Sequence, residues 1–370
     1  MDARTSAYLV PAATRAASPP ARGHRAVRGA YEIELCSAAE AQGAVDAWRS
    51  LAARALEPNI FAGPDFLLPA LQHLPEGRAA TLMLIWQPVA GSRLLQGLLP
   101  LVMPRLRFVP GEVRLWQPPF VPTSPMLIDR AQAEAVIAAA LSDLAARGSR
   151  CSGLMMRGLS RTGATATALW SVAARTGRRL EYFPSPRPGA APASDPREPA
   201  AGAMGAIEHA RGAGAVRDAV ETFLRLDAAS AAAEGRRALI EDPGAASFIR
   251  TATRQLARRR QCRLETLHVE GEAAAAMIVL ETAGTLHPWR VAALPGHRVP
   301  IDRLLASAVA RARRSGKALS AGEAGSIDCL VSIRPGRSPS GTAVQWKEQW
   351  DRRLRAVAGG GQRFLRTRAA

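Results

Sequence analysis

Three titratable residues in the second half of the sequence have side chains that can remove a proton from a substrate. Glu281, His287 and Asp328 each lie within or beside a segment predicted to form a β-strand. A carboxylate or an imidazole in such a position can act as a general base. Asp328, inside the last predicted strand, is our candidate catalytic residue. The competing interpretation is that these side chains cap strand ends or pair with arginine.

A short loop in the same half has a composition suited to binding an anion. Gly296, His297, Arg298 and Val299 directly precede a helix predicted over 302–314. Backbone N–H groups at a helix N-terminus, together with the helix dipole, favour negative charge. The glycine permits a close approach of the backbone, and the arginine can donate charge-assisted hydrogen bonds to phosphate. We predict that these four residues bind a phosphorylated cofactor, with an ordinary strand-to-helix loop as the alternative.

Serine and cysteine nucleophiles and metal ligands are not favoured by the sequence. Ser230 has no histidine that the sequence places beside it. The four cysteines form no CxxC pair and no Cys/His cluster with zinc-ligand spacing; they are Cys36, Cys151, Cys262 and Cys329. We therefore expect buried, reduced thiols, no metal, and a cytoplasmic location.

The strong positive charge is a weak functional signal. The 370 residues carry a formal net charge of +18, and of the 49 basic residues only Lys317 and Lys347 are lysine, which leaves 47 arginines. With abundant alanine, this bias is typical of a GC-rich genome. The arginine-rich stretch 250–263 has no interleaved aromatic residues, and no nucleic-acid-binding signature occurs. We expect a solvated helix face there and no sequence-specific nucleic-acid partner.

Composition predicts two modules with flanking tails. The stretch 184–205 is rich in proline, alanine and glycine and lacks apolar periodicity, which indicates a linker. No apolar run approaches the ~20 residues of a membrane span, and the N-terminus does not resemble a signal peptide. The expected organisation is a disordered tail (1–29), a first module (30–183), the linker, a second module (206–355) and a basic tail (356–370).

Hydrophobic periodicity predicts a similar order of elements in both modules. In the first we expect helices over 38–55 and 131–147 and strands over 80–89, 93–103, 112–117, 151–159 and 179–183. In the second we expect helices over 215–226, 244–260 and 302–314 and strands over 262–269, 273–281, 285–294 and 326–332. The predicted class is α/β, with mixed, mostly antiparallel sheets and a parallel crossover at the end of each module.

Several motifs resemble a known family. The stretches 48–71, 94–102 and 115–129 look like the first half of CelD-type double-GNAT acetyltransferases, and the chain from 223 onward resembles that family's acetyltransferase domain. Pro58-Asn59-Ile60-Phe61, followed by Asp65-Phe66, is the most distinctive motif. The resemblance covers about residues 31–350, and the architecture is similar to that of Fem-type aminoacyltransferases.

The resemblance implies tandem GNAT-like domains and transfer of an acyl group from acetyl-CoA or another acyl-CoA. The acceptor would be a small molecule or a sugar, as in polysaccharide biosynthesis, and would attack the thioester directly. The 296–299 loop would then hold the CoA pyrophosphate, and Asp328 would serve as the base. Oligomeric state stays open.

Departures from the family pattern keep two alternatives open. Where members usually have a Trp-Lys-Gly-type turn, this chain has the run Ala231–Ala233, and an acidic stretch is missing before Pro295. A catalytically degenerate scaffold or regulator is therefore one alternative, and a Fem-like transferase that uses aminoacyl-tRNA is the other. Trp346 and Trp350, four residues apart, would dock a C-terminal helix or line a substrate pocket.

Overall fold

The computed structural model describes residues 24–28, 30–89, 92–104, 111–119, 121–147, 151–184, 205–295, 299–320 and 326–335. The fold is mixed α/β with two mixed sheets, as the sequence predicts. The helices are α1 (Val45–Ala53), α2 (Pro64–His73), α3 (Ala133–Ala146), α4 (Ala164–Thr176), α5 (Ala213–Glu234), α6 (Pro243–Arg258) and α7 (Val299–Arg314).

The strands fall into two groups. The first half of the chain contributes β1 (His24–Arg28), β2 (Tyr31–Cys36), β3 (Thr81–Val89), β4 (Ser92–Val102), β5 (Gly111–Leu115), β6 (Leu127–Ile128), β7 (Cys151–Ser160) and β8 (Leu180–Pro184). The second half contributes β9 (Ala206–Arg211), β10 (Cys262–Val269), β11 (Glu272–Glu281), β12 (Thr285–Ala293), β13 (Ala318–Leu319) and β14 (Ser326–Ser332).

The two sheets share a pattern of antiparallel strands with one parallel pair. Within the described residues, the first sheet has the order β1-β2-β3-β4-β5-β7-β14-β8, with β6 pairing β4, and the second has the order β13-β12-β11-β10-β9. The parallel pairs are β5 with β7 and β12 with β13. Each follows a crossover through one helix, α3 or α7, which is the expected connection between parallel neighbours.

The N-terminal boundary of the first module differs from the prediction. The expected disordered tail 1–29 includes His24–Arg28, and this segment forms strand β1 along β2. Its sequence is short and basic, so it carries little apolar periodicity of its own. It becomes a strand because β2, with Ile33 fully buried, offers it an unpaired backbone edge.

The last strand also lies in a different sheet from the one predicted. We expected 326–332 to close the second module, but β14 lies between β7 and β8 of the first sheet. Cys329 and Val331 are fully buried there, in the core beneath α3 and α4. The C-terminal part of the chain therefore completes the first sheet, because the apolar side chains of β14 fill that core.

The alanine run is part of a helix. Helix α5 does not end near Leu226 but continues through Ala231–Ala233 to Glu234. Alanine has the highest helix propensity, and Ala231 is itself buried. Gly235, with φ of 64°, ends the helix in the left-handed conformation that glycine adopts without strain.

Helix α2 joins the two modules and was not predicted. It begins with Pro64 in its first turn and contains Pro69. A proline in the interior of a segment normally indicates that the segment is not helical. Seven of the ten residues of α2 are buried. It packs against α6, so that one apolar cluster contains both Phe66 of the first module and Phe248 of the second. The modules therefore share a core.

The end of α2 meets the start of α6 at close range. Asp242 caps α6 by accepting hydrogen bonds from the N–H groups of Gly244 and Ala245, at 2.9 and 3.1 Å. A Cβ atom added at Gly244 would lie 2.7 Å from the carbonyl oxygen of His73 in α2. The partly positive end of one helix thus approaches the partly negative end of the other, and only glycine allows this separation.

Replacing Gly244 with alanine should weaken this contact between the modules. We expect Gly244→Ala to lower the free energy of unfolding by about 1–3 kcal/mol, because the backbone at His73 must move to relieve the overlap. Urea denaturation measures the change. Gly214→Ala is the matched control, since nothing lies within 4 Å of its added Cβ, and it should be neutral or slightly stabilising. Equal stabilities for the two variants would contradict the prediction.

Candidate functional site

The parallel pairing between β12 and β13 is only two residues long. Thr285 pairs with Ala318 and Leu286 with Leu319, and the N–H of Ser320 donates to the Leu286 carbonyl at 2.8 Å. From His287 onward, no strand among the described residues pairs with this edge of β12. Backbone donors and acceptors of β12 that point away from β11 therefore have no strand partner among the described residues, and we call this open edge the splay.

A β-bulge lies along the splay. Ile278 of β11 opposes Arg290, and Val279 opposes Pro288, so that Trp289 is the extra residue on β12. A bulge changes the alternation of side chains along a strand. Trp289 packs against Phe248 of α6. Burial lowers the pKa of the Arg290 guanidinium, and the Asp227 carboxylate of α5 lies near enough to Arg290 to oppose this shift. Both residues consequently face the side of the sheet that α5 and α6 cover.

His287 lies at the apex of the splay, one residue beyond the last pair. Its ring meets the ring of Phe61 edge to face, with centroids 5.7 Å apart and an interplanar angle of 74°. Its Nε2 atom is buried and has no hydrogen-bond partner among the described residues. Burial lowers the pKa of His287 to about 4, because a charged imidazolium would lose its hydration. The imidazole is therefore neutral at physiological pH.

Aromatic side chains from both modules form a wall beside the splay. The Phe66 ring lies 5.2 Å from those of Phe61 and Phe248 and 5.1 Å from that of Trp289, in each case edge to face. Such pairs contribute about 0.5–1.5 kcal/mol each beyond the area they bury. The first module thus helps to fix the open strand of the second.

The distinctive motif of the first module anchors this wall. Asn59 accepts from the N–H of Phe61 at 3.0 Å and donates to the Ser124 carbonyl at 3.2 Å, which holds the 3-10 turn Ile60–Ala62. Trp48 donates from Nε1 to the Ala62 carbonyl at 2.8 Å. The motif therefore fixes the position of the Phe61 ring, a role that its sequence did not reveal.

Asp65 of the same motif ties three helices together. Its carboxylate pairs with Arg49 of α1 at 2.9 Å and with Arg259, just after α6, at 3.9 Å. The neighbouring residue, Phe66, is fully buried. The Asp65-Phe66 pair therefore serves the contact between the modules.

A buried carboxylate lies on the α5 side of the bulge. Asp227 is 2% exposed; it accepts from the N–H of Leu239 at 2.7 Å and pairs with Arg236 at 3.0 Å. Burial lowers the pKa of the Arg290 guanidinium, and the charge of Asp227 opposes that shift. Sequence analysis could not single out Asp227, Trp289 or Arg290, because their proximity depends on the bulge and on α5 continuing past Leu226.

Glu281 does not lie at the splay. It is in β11 at the closed end of the β12–β13 pair, where its two carboxylate oxygens bind Arg263 and Lys317. Since both oxygens are occupied, Glu281 fastens the end of α7 to the sheet. Ser230 bonds Glu234 along the surface of α5 at 2.9 Å and has no imidazole beside it.

Asp328 belongs to the first sheet, so the expectation that it joins the second is wrong. Its Oδ1 accepts from the N–H of Gly158 in β7 at 3.1 Å. Gly158 has φ of 65°, and a Cβ there would lie 2.0 Å from the Pro122 carbonyl oxygen. Asp328 thus stabilises a left-handed position in β7. A catalytic role for it stays a prediction.

Most of the predicted cofactor loop lies outside the described residues. This applies to Gly296, His297 and Arg298, whereas Val299 is the first residue of α7. Because α7 follows β12 after five residues, its N-terminus is at the end of β12 toward which the splay opens. The tryptophans at 346 and 350 and nearly all of the predicted linker, 185–204, also lie outside the described residues.

Other predicted features can be compared with the described residues. The four cysteines are buried and form no disulfide, and burial raises the pKa of Cys36, Cys262 and Cys329 to about 12. In the described part of the chain, no group of three or more potential ligands could hold a metal ion. Among the same residues, no helix has the length and apolarity to span a membrane.

Comparison with known families identifies the second module. Residues 198–319 match the family model of an acetyltransferase (GNAT) domain. Over these residues the chain is similar to a GNAT domain. The matched stretch runs from before β9 to the end of β13 and includes the bulge, the splay and α7. A search of curated proteins finds no match to the chain.

The solved structures to which this chain is similar have low sequence identity to it. FemX is 8% identical, with 74% of this chain and 85% of FemX covered and a TM-score of 0.48. A tandem GNAT protein from the clavulanic acid biosynthesis pathway is 15% identical, with 83% and 99% covered and a TM-score of 0.37. L-PGS from Bacillus licheniformis is 10% identical, with 67% and 84% covered and a TM-score of 0.38.

Removing the Asp328 carboxylate should destabilise the fold. We expect Asp328→Ala to lower the free energy of unfolding by about 1–3 kcal/mol, because the buried N–H of Gly158 loses its acceptor. Asp328→Asn, which retains one oxygen acceptor, is the control and should cost less. Chemical denaturation of the three proteins tests this expectation. Unchanged stability of the alanine variant would refute the structural role.

His287 should make the protein less stable in mild acid. Its pKa is about 4 in the fold and about 6.5 in the unfolded chain, so between these values the unfolded state binds the proton and stability falls as pH falls. From pH 7 to pH 4.5 this contribution is about 2 kcal/mol. Urea denaturation at both pH values should show a smaller loss of stability for His287→Leu. Identical losses in both proteins would contradict the assignment.

Proposed function

We propose that the protein is an acyl-CoA-dependent N- or O-acyltransferase that works at the splay between β12 and β13, with a small molecule or a sugar as acceptor. One observation carries the proposal. The stretch matching an acetyltransferase domain contains a parallel strand pair of only two residues, and the longer strand carries a bulge along the edge that no described strand pairs. An open strand edge in a protein interior presents ordered donors to a ligand.

The thioester carbonyl of the acyl-CoA would lie against the open edge of β12. Backbone N–H groups at this edge would stabilise the negative charge that develops on the carbonyl oxygen, and fixed donors of this kind need little reorganisation during the reaction. The acceptor would attack directly from the face covered by α2, α5 and α6. Its heteroatom bonds to the acyl carbon while the bond to sulfur breaks.

A covalent acyl-enzyme does not fit the described residues. The cysteines are buried, and those at 36, 262 and 329 have a pKa raised to about 12, so their thiolate forms are rare at neutral pH. Ser230 bonds Glu234 on the surface of α5. Direct attack therefore remains the simplest mechanism.

We assign the CoA pyrophosphate to the loop Gly296-His297-Arg298-Val299 at the start of α7. The support for this assignment is topological: the loop joins the open end of β12 to the N-terminus of a 16-residue helix. Such a terminus attracts anions, and Arg298 would add charge-assisted hydrogen bonds.

A catalytically degenerate scaffold is the second candidate. Continuation of α5 through Ala231–Ala233 supports it, because the helix leaves no polar turn at this position. In this case the second module would retain the fold without binding acyl-CoA. The Fem-like alternative, transfer from aminoacyl-tRNA, has only the excess of arginine in its favour.

Isothermal titration with acetyl-CoA separates these candidates. We expect micromolar binding to the full chain, and binding about tenfold weaker or worse for Arg298→Glu, because the reversed charge repels phosphate. Arg314→Glu is the matched control: it makes the same charge change on the exposed last turn of α7 and should bind within about twofold of the unaltered protein.

Each outcome of the titration decides between candidates. No binding by a folded protein would favour the scaffold, and strongly salt-dependent binding of tRNA would favour the aminoacyl-tRNA transferase. If Arg298→Glu and Arg314→Glu weaken acetyl-CoA binding equally, the protein attracts acetyl-CoA through its overall positive charge and not through a specific phosphate-binding site.

A further inference from the structure

We propose that His287 accepts the proton of the attacking nucleophile, and that Phe61 of the first module holds the imidazole in place. The catalytic site of the second module would then be completed by the first. This inference rests on the function proposed above and adds to it the proton acceptor and a positioning residue.

The position of His287 is the first argument. It follows Leu286, the last residue of β12 that pairs with β13, so its side chain lies where the sheet opens. Its contact with Phe61 places the ring on the face that packs against the first module. An acceptor that attacks a carbonyl in the splay from this face would pass the imidazole.

The other titratable groups packed around this face are already occupied. On α5, Asp227 is bound by the N–H of Leu239 and by Arg236. On α2, Asp65 pairs with Arg49.

The 3-10 turn Ile60–Ala62 has no titratable side chain. On β11, Glu281 binds Arg263 and Lys317 at the closed end of the strand pair. On β12 itself, the Arg290 guanidinium is a cation and cannot accept a proton.

The unpartnered Nε2 atom is the second argument. A buried polar atom without a hydrogen bond costs about 1–3 kcal/mol and is uncommon in folded proteins. His287 is only partly buried as a residue, whereas Nε2 itself is buried, so an acceptor would have to displace the groups that cover Nε2 in order to reach it. An O–H or N–H group of an acceptor would supply the missing donor to Nε2 and would be aligned for transfer of its proton.

The geometry around Phe61 is the third argument. Its ring edge lies against the His287 ring, and Phe61 is itself only 3% exposed. Asn59 caps the turn that carries it, and Trp48 bonds the carbonyl of Ala62 at the end of that turn. The ring is therefore held at a fixed position, and it restricts rotation of the imidazole.

The proposed step is balanced in atoms and charge. The acceptor heteroatom bonds to the acyl carbon, its proton passes to His287 Nε2, and the carbon–sulfur bond breaks with its electron pair on sulfur. The imidazolium then returns the proton to the CoA thiolate. The products are the acylated acceptor, CoA thiol and neutral His287.

The first test compares His287→Gln with the unaltered protein, using acetyl-CoA and hydroxylamine as probes and CoA release as the readout. Glutamine can form hydrogen bonds but cannot take up the proton. We expect kcat to fall about 100-fold or more, while the Kd for acetyl-CoA, measured by titration calorimetry, stays within about threefold.

The second test asks whether Phe61 acts through His287. Phe61→Leu should lower kcat about tenfold at an unchanged KM for acetyl-CoA, because a misplaced base reduces the rate without affecting cofactor binding. The rate of Phe61→Leu, corrected for protonation of hydroxylamine, should begin to fall below about pH 6. Water then reaches the imidazole and stabilises its charged form, which raises the pKa of His287. The unaltered protein should keep its corrected rate down to about pH 5. Phe66→Leu alters the same wall at a ring with no ring contact to His287; whatever its effect on kcat, it should keep the pH profile of the unaltered protein.

The outcomes distinguish this inference from the proposed function. Absence of acetyl-CoA binding by the folded, unaltered protein would overturn the proposed function itself. Binding with equal CoA release by the unaltered protein and His287→Gln would overturn only the role of His287, whereas binding with no CoA release by either would overturn the transferase function. Matching pH profiles for Phe61→Leu and Phe66→Leu would overturn the role of Phe61.

Discussion

The contact between Phe66 and Trp289 is the interaction on which the rest of the arrangement depends. Phe66 is fully buried in α2, and Trp289 is the bulged residue of β12, so this one contact joins the module boundary to the strand that opens the second sheet. Burying an aromatic side chain contributes a few kcal/mol. Each ring packs against the other, so the first module holds the bulged part of β12 in place. The bulge therefore does not need a neighbouring strand on its open edge.

The path of the chain makes the two modules one cooperative unit. After forming the second sheet, the chain returns to the first and inserts β14 between β7 and β8. Val331 and Cys329 are fully buried there, and Asp328 bonds the backbone of Gly158. The first sheet therefore requires a strand that is made after the second module, and an excised first module would lack the centre of one half of its sheet.

Charge pairs place α7, and with it the proposed cofactor loop, against the second sheet. Glu265 of β10 is fully buried and pairs with Arg311 of α7 at 3.0 Å. On the neighbouring strand β11, Glu281 binds Arg263 and Lys317. Breaking one partner of a buried pair is costly because it leaves an uncompensated charge. These ion pairs therefore specify one packing position of α7 on the sheet. The fully buried apolar side chains of this arginine-rich helix are leucine and alanine.

The sequence by itself determined the α/β class, the bounds of the regular strands such as β10 and β11, and the burial of the cysteines, because local periodicity and residue type carry that information. It did not reveal α2, whose prolines conceal a helix held by burial from both modules, nor the strand β1, which needs the edge of β2. The tertiary structure alone decided that β14 joins the first sheet, that Asp328 lies away from the splay, and that His287 meets Phe61. Each of these depends on contacts between residues far apart in the chain, and the free energy of such contacts leaves no periodic trace in the sequence.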